Sequence, residues 1–261
     1  VALLVWYQPI QALILFVLPM VITLFVTAWA TYDHHAGLDE SDDPFRASYS
    51  AILMLNGGER TILNYKGTMP TAHDPELDLS VIGEGDWVYV SSLGDMDLLE
   101  KIISIAAEHN VKVMLNPAGV ELRNPEKLKG LLEDVQILTV NKEEAQVIVH
   151  GETIEELARH AHHYCPVVIV SDGPNGAVAT DGKTVITAGM YEDVPVVDRT
   201  GGGDAFGSGF LSQYAQGKSL RDSILFASAN STSVVQYIGA KKGILHGTVT
   251  LHDMPLEEKE F

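Results

Sequence analysis

Between Trp87 and Tyr237 short apolar runs alternate with stretches of helical spacing, and this alternation restricts the fold more than any other feature of the chain. Trp87–Val90, Val111–Leu115, Gln136–Val140 and Val167–Val170 have the length and apolarity of buried strands. Between the first two, Asp95–His109 carries Met96, Leu99, Ile102, Ile103 and Ala106 at the intervals of one helix face. Further helices are predicted near Pro125–Leu132, Glu143–Val149 and Thr153–Tyr164. Ala177–Ala188 reads as two strands joined at Asp181-Gly182, after which a glycine-rich turn at 200–203 opens a long helix and a second helix spans Leu220–Tyr237. Such an order predicts an α/β fold with a mainly parallel sheet covered on both faces. Ligands of such sheets bind beyond the carboxyl ends of the strands, which directs attention to the residues that follow each strand.

Charge and cysteine content narrow the function classes. The 261 residues hold 35 acidic and 17 basic side chains, a net charge of −18 that repels nucleic-acid backbones, so no nucleic-acid partner is expected. ATP is not excluded, because a nucleotide needs only local N–H donors, a helix N-terminus and a metal ion. Cys165 is the only cysteine, so neither a disulfide framework within the chain nor a multi-cysteine zinc site is available. His160, His162 and His163 lack the spacing for one helix face, and they, His34-His35 and Cys165 are read as non-chemical.

The N-terminus departs from this picture. No charged residue precedes Asp33, and Ile10–Trp29 is interrupted only by Gln11, Pro19, Thr23 and Thr27. Its length and apolarity meet the criterion for a membrane-spanning helix, and it lacks the basic flank of a signal peptide. Three readings of residues 1–32 stay open: a membrane anchor over 10–29, a buried core element, and a segment foreign to the fold that follows. Residues 33–261 then form the predicted domain. In it, Asp33–Arg46 reads as an acidic loop, and Tyr49–Leu55 and Thr61–Tyr65 read as a hairpin (about 48–66) turning at Asn56-Gly57-Gly58.

The richest stretch is Asp198-Arg-Thr-Gly-Gly-Gly-Asp-Ala-Phe-Gly-Ser-Gly-Phe210. Three glycines turn sharply and remove every Cβ that would obstruct a phosphate, and the following apolar spacing delivers their N–H groups to a helix N-terminus. Asp204 stands in the first turn of that helix, where a carboxylate either caps the helix or accepts a proton from an attacking hydroxyl.

This run resembles the signature of the ribokinase, or PfkB-type, carbohydrate kinases, Asp-x-Thr-Gly-Ala-Gly-Asp-Ala-Phe. It matches at Asp198, Thr200, Gly201, Gly203, Asp204, Ala205, Phe206, Gly209 and Phe210, with Gly202 in place of alanine and Arg199 where threonine is frequent. The resemblance implies a three-layer α/β/α sandwich with a small β lid, and the transfer of the ATP γ-phosphate to a sugar hydroxyl with Mg²⁺. In it Gly201, Gly202 and Gly203 form the anion hole, Thr200 lies in the nucleotide turn, and Asp204 is the base. Asn141-Lys-Glu-Glu144 resembles the family's Asn-x-x-Glu motif, so Asn141 and Glu144 are implied in the metal–phosphate shell, Glu144 reaching Mg²⁺ through water. The same four residues also read as an ordinary helix start. Ser171, Gly173 and Gly176 match a Thr-x-Gly-x-x-Gly turn that lines the nucleotide. Asn230 lies where the family contacts adenine, and Gly239–Gly243 resembles a loop that, with Asp198, holds a monovalent cation such as K⁺. Asn116-Pro117-Ala118 resembles the Asn/Asp-Pro segment on the acceptor side. A cytoplasmic kinase that forms a homodimer fits the resemblance, with membrane attachment only through residues 10–29.

The resemblance covers roughly Tyr49 to Gly243. Upstream, the family carries further strand–helix units and a Gly-Gly-x-x-x-Asn motif that grips the sugar, and here the charge-free run stands instead. The expectation is therefore a kinase fold incomplete at its N-terminus. Its activity stays open among a working sugar kinase, a nucleoside kinase of the same superfamily, and an inactive nucleotide-binding or regulatory protein.

Overall fold

The computed structural model describes residues 49–54, 60–65, 71–73, 77–191, 194–246, 249, 251 and 254–261. Two compact units divide the chain, Val1–Met54 with Arg60–Met69, and Leu55–Glu59 with Pro70–Phe261. In the first, β1 (Tyr49–Met54) pairs antiparallel with β2 (Arg60–Tyr65), from Tyr49 opposite Tyr65 to Met54 opposite Arg60. The hairpin read from the sequence is thus present. Its turn at 56–58, the loop at 33–46 and the apolar run at 10–29 lie outside the described residues. Among the described residues no helix is long and apolar enough to cross a membrane.

The second unit is built on seven strands in spatial order β3 to β9: β3 (Trp87–Ser91), β4 (Lys112–Asn116), β5 (Ile137–Asn141), β6 (Val167–Ser171), β7 (Ala177–Thr180), β8 (Thr184–Ala188) and β9 (Leu256–Glu260). β3 to β6 are parallel and β6 to β9 antiparallel. The sheet is therefore mixed rather than mainly parallel, because the links from β6 to β7 and β7 to β8 are too short for a crossover helix. The helices are α1 (Met96–Glu108), α2 (Pro125–Leu132), α3 (Lys142–Ile148), α4 (Ile154–Ala161), α5 (Gly202–Tyr214) and α6 (Leu220–Val234).

Local sequence explains where these helices start and stop. Asp95 caps α1 by accepting the Leu98 N–H at 2.8 Å, while Leu98, Leu99, Ile102, Ile103 and Ala106 bury one face. Asn110, in the left-handed region at φ 58°, ends it; the N–H groups of Asn110 and Val111 return to the carbonyls of Ala107 and Ala106 at 3.2 and 2.8 Å. Pro125 opens α2 behind the Asn124 cap, and Thr153 with Glu156 forms a capping box at α4.

The central strands are buried on both faces, and alternate residues serve different cores. Val113 and Leu115, Leu138 and Val140, and Val168 and Val170 join the helices α1 to α4. Met114, Ile137, Val167 and Ile169 join Phe210 of α5 and Ile224 and Ala227 of α6. The pleat thus makes three layers, helices on each side of one sheet. Each fully buried Leu or Ile contributes about 1.5–3 kcal/mol. Cys165 is one of these packed residues: its thiol donates to the Val135 carbonyl at 3.2 Å, and burial pushes its pKa up to about 12.

Candidate functional site

At the carboxyl ends of β4, β5 and β6 stand Asn116, Asn141 and Ser171, with Asn141 and Ser171 paired in register. Beyond them opens a cavity of about 310 Å³. Strand-end residues Asn141, Glu144, Ser171, Gly173 and Gly176 form one side of it. Gly202, Gly203 and Phe206 from the start of α5 and Ser228, Ser231 and Thr232 from α6 form the other. Asn116, Asn141, Glu144, Ser171, Gly173, Gly176, Gly202 and Gly203, all singled out in the sequence, therefore meet at one place although they are spread from position 116 to 203.

Asn141 and Glu144 are held by a reciprocal clamp. Glu144 N–H donates to the Asn141 side-chain oxygen at 2.8 Å, and Asn141 N–H donates to the Glu144 carboxylate at 2.9 Å. The helix-start reading is therefore correct, and both side chains also border the cavity. Burial raises the Glu144 pKa, the Asn141 N–H opposes that, and the neighbouring Glu143 charge adds to it. The next turn needs its glycines for geometry. Gly176 has φ 93° and a Cβ there would run into the Ala188 carbonyl, whereas Gly173, at φ 50°, faces open space. The Ser171 hydroxyl reaches the Val140 carbonyl at 3.5 Å.

The signature turn is anchored from below. Asp198 is buried, and its carboxylate accepts the Thr200 N–H at 2.9 Å and the Gly239 N–H at 3.0 Å. Gly201 is the N-cap residue of α5 at φ 79°, and a Cβ on it would lie 2.5–2.6 Å from atoms of Ala240. No side chain caps α5, so Asp204 does not play the capping role. Its exposed carboxylate stands in the first turn beside Gly203 and does not itself line the cavity. The charge of Asp204 adds to the effect of burial on Tyr89, whose phenol is pushed up to about 12 against a smaller opposing effect of Ser91. The Thr200 hydroxyl is buried with no hydrogen-bond partner.

The adenine contact expected at Asn230 is not among the cavity-lining residues. Both amide atoms of Asn230 are used inside the protein, Nδ2 donating to the Ala205 carbonyl at 2.7 Å and Oδ1 accepting the Leu245 N–H at 2.8 Å. Gly243, at φ 90°, is packed against Ser233 and the Tyr237 ring. Ser228, Ser231 and Thr232 of α6 and its C-cap residue Val235 line the cavity. They fall at i, i+3, i+4 and i+7, one stripe of a helix, and the three hydroxyls on that stripe were the available signal. Arg199, Val196 and Met190 also line it without having been assigned a role from the sequence. Among the described residues no group of three or more His, Cys, Asp or Glu side chains gathers in a metal-binding arrangement.

Comparison with known proteins identifies the family and the fold. The family model for pfkB family carbohydrate kinases matches residues 46–246. A cytidine kinase of Thermococcus kodakarensis is 28% identical over 143 residues, covering 53% of this chain and 51% of the relative. A ribokinase of Haemophilus influenzae is 29% identical over 170 residues, covering 62% and 54%. The crystal structure of adenosine kinase from Sinorhizobium meliloti superposes with a TM-score of 0.66 at 22% identity, covering 74% of this chain and 62% of that one. The chain spans about half the length of the curated relatives it matches.

Proposed function

The chain belongs to the pfkB family of carbohydrate kinases, and from that premise we propose that it binds ATP and transfers the γ-phosphate to an alcohol group of a sugar. The observation that carries this reading is the joint at Gly203 and Asp204. One residue borders the strand-end cavity, and the next offers a carboxylate that caps nothing. Phosphoryl transfer asks for such a pairing, donors at the transferred group and a base at the nucleophile.

In the proposed reaction the acceptor hydroxyl gives its proton to the Asp204 carboxylate as its oxygen forms a bond to the γ-phosphorus. The bond from that phosphorus to the bridging oxygen breaks, and its electrons leave with ADP. The first-turn N–H of α5 at Gly203, at the positive end of the helix dipole, receives the phosphate charge. Mg²⁺ would neutralise the terminal phosphates. Glu144 is the only carboxylate among the described cavity-lining residues, which suits an ion held mainly by phosphate and water, with Asn141 and Glu144 on its water shell. Asp198, beside the orphaned Thr200 hydroxyl, is the group this reading assigns to a monovalent cation such as K⁺.

The acceptor class is the finer part of the proposal. Sugars lead, because the matching family is one of carbohydrate kinases; nucleosides follow, because a cytidine kinase is among the relatives. ADP release from Mg-ATP across a panel of sugars and nucleosides, with Asp204→Asn as control, tests both. Acceptor-dependent release that disappears in the control supports the reading and names the class. Turnover that survives in Asp204→Asn removes Asp204 as the base.

A further inference from the structure

Among the described cavity-lining residues only two carry an ionisable side chain that is charged at neutral pH, Glu144 and Arg199. They are not bridged to each other, and among the described residues no carboxylate forms an ion pair with Arg199. Arg199 is held at its base and free at its tip. Its carbonyl accepts the Gly202 N–H at 3.2 Å, and the preceding Asp198 is buried and tied to Thr200 and Gly239. Its side chain therefore starts from a fixed point at the threshold of α5 and is itself exposed.

Electrostatics shows why this matters. A nucleoside triphosphate brings several negative charges to a chain whose net charge is −18. Glu144 adds another at the cavity wall. The α5 N-terminus offsets only about half a charge. Beside Mg²⁺, a positive group on the protein side strengthens the hold on the phosphates, and among the described lining residues Arg199 is the only cationic side chain. A guanidinium also suits the task chemically, since its fork gives two parallel N–H bonds to phosphate oxygens and never loses its proton.

We infer that Arg199 is the phosphate clamp of this site, its guanidinium gripping the phosphate chain of a nucleoside triphosphate beside the Gly202-Gly203 turn. The assignment rests on the nucleotide-binding half of the proposed function. It concerns a position where this chain departs from the threonine frequent in the PfkB-type signature, so it describes a property of this chain rather than of the motif.

The test is calorimetric binding to the full chain of adenosine, ADP and Mg-ATP, with Arg199→Thr and Arg199→Lys. Losing charge-assisted hydrogen bonds in Arg199→Thr is expected to weaken ADP and Mg-ATP by about tenfold or more and to leave adenosine unchanged. Arg199→Lys keeps the charge but loses the fork, so it should fall between the two, and it serves alone if the threonine variant does not fold. Added salt should weaken Mg-ATP binding less in Arg199→Thr than in the wild type. Adenosine weakened in parallel with the nucleotides, or Mg-ATP affinity within twofold of wild type, would overturn the clamp. A wild-type chain that binds Mg-ATP without transferring phosphate refutes the kinase reading and leaves the clamp standing on its own test. A wild-type chain that binds no Mg-ATP overturns both.

Discussion

Adding one methyl group at Gly203 should make the protein more stable and less able to use ATP. Gly203 is the second residue of α5, its φ is not positive, and a Cβ on it meets nothing within 4 Å. Gly→Ala in a compatible conformation removes freedom from the unfolded chain and stabilises by about 0.4–1 kcal/mol. For a domain of this size that corresponds to a rise in Tm of about 1–3 °C. The space the methyl enters is the cavity, which Gly203 lines. There it would hold a phosphate off the first-turn N–H groups, and a displacement of about 1 Å in the reacting group costs on the order of 100-fold in rate. Gly201→Ala is the matched control. The same methyl, two residues earlier, must take φ 79° and sits 2.5–2.6 Å from Ala240. It should lower Tm by several degrees, since the left-handed conformation alone costs about 1–2 kcal/mol for a residue with a Cβ. Thermal unfolding by circular dichroism, with Mg-ATP affinity and kcat/KM for ADP release, reads all three quantities. A Gly203→Ala protein that melts below wild type, or one whose Mg-ATP affinity and kcat/KM both stay within threefold, refutes the argument.

Glu144→Gln should separate stability from function by pH. Because burial raises the folded pKa of Glu144, its contribution to stability is full below the unfolded value of about 4.3 and is lost as pH rises through the folded one. The Gln variant, which can still accept the Asn141 N–H, should therefore be at least as stable as wild type at pH 7, with its relative advantage shrinking towards pH 4. Its Mg²⁺-dependent activity should fall about 10–100-fold; melting curves at several pH values decide the first point, and a variant less stable at pH 7 than at pH 4 relative to wild type would contradict it. Cys165, with a buried thiol whose pKa is pushed up to about 12, should resist alkylation by iodoacetamide at pH 8 until the chain is unfolded; labelling of native protein at the rate of a free thiol, followed by mass spectrometry, would show that the packing is wrong.

What the sequence made legible was whatever a local rule controls. The limits of α1 follow from Asp95, the apolar stripe and Asn110, and α2 from Pro125, because caps and periodicity act within a few residues. β9 escaped notice for a physical reason. Leu256–Glu260 is a charged edge strand with four exposed residues, so it has no apolar face to betray it, and its charges are what an edge uses against stray pairing. The register that brings β9 against β8 is a long-range fact that Leu-Glu-Glu-Lys-Glu does not encode alone.

The site divides along the same line. Gly176 and Gly201 were readable because a positive φ and a close carbonyl or backbone approach leave glycine little competition. Asn230 was misplaced because position along a helix was used where facing direction decides. Ser228, Ser231 and Thr232 share the stripe towards the cavity, while Asn230 points into the protein and ties α5 to the residue Leu245. Asn141 and Glu144 show that the structural and the chemical reading of a motif need not compete. The capping box fixes the Glu144 carboxylate at the strand end, and that fixation holds a half-buried acid at the cavity wall. A residue held by a cap keeps its geometry without a ligand, so under the proposed function the wall is in place before a nucleotide binds, with Arg199 as the cation proposed to face the phosphates.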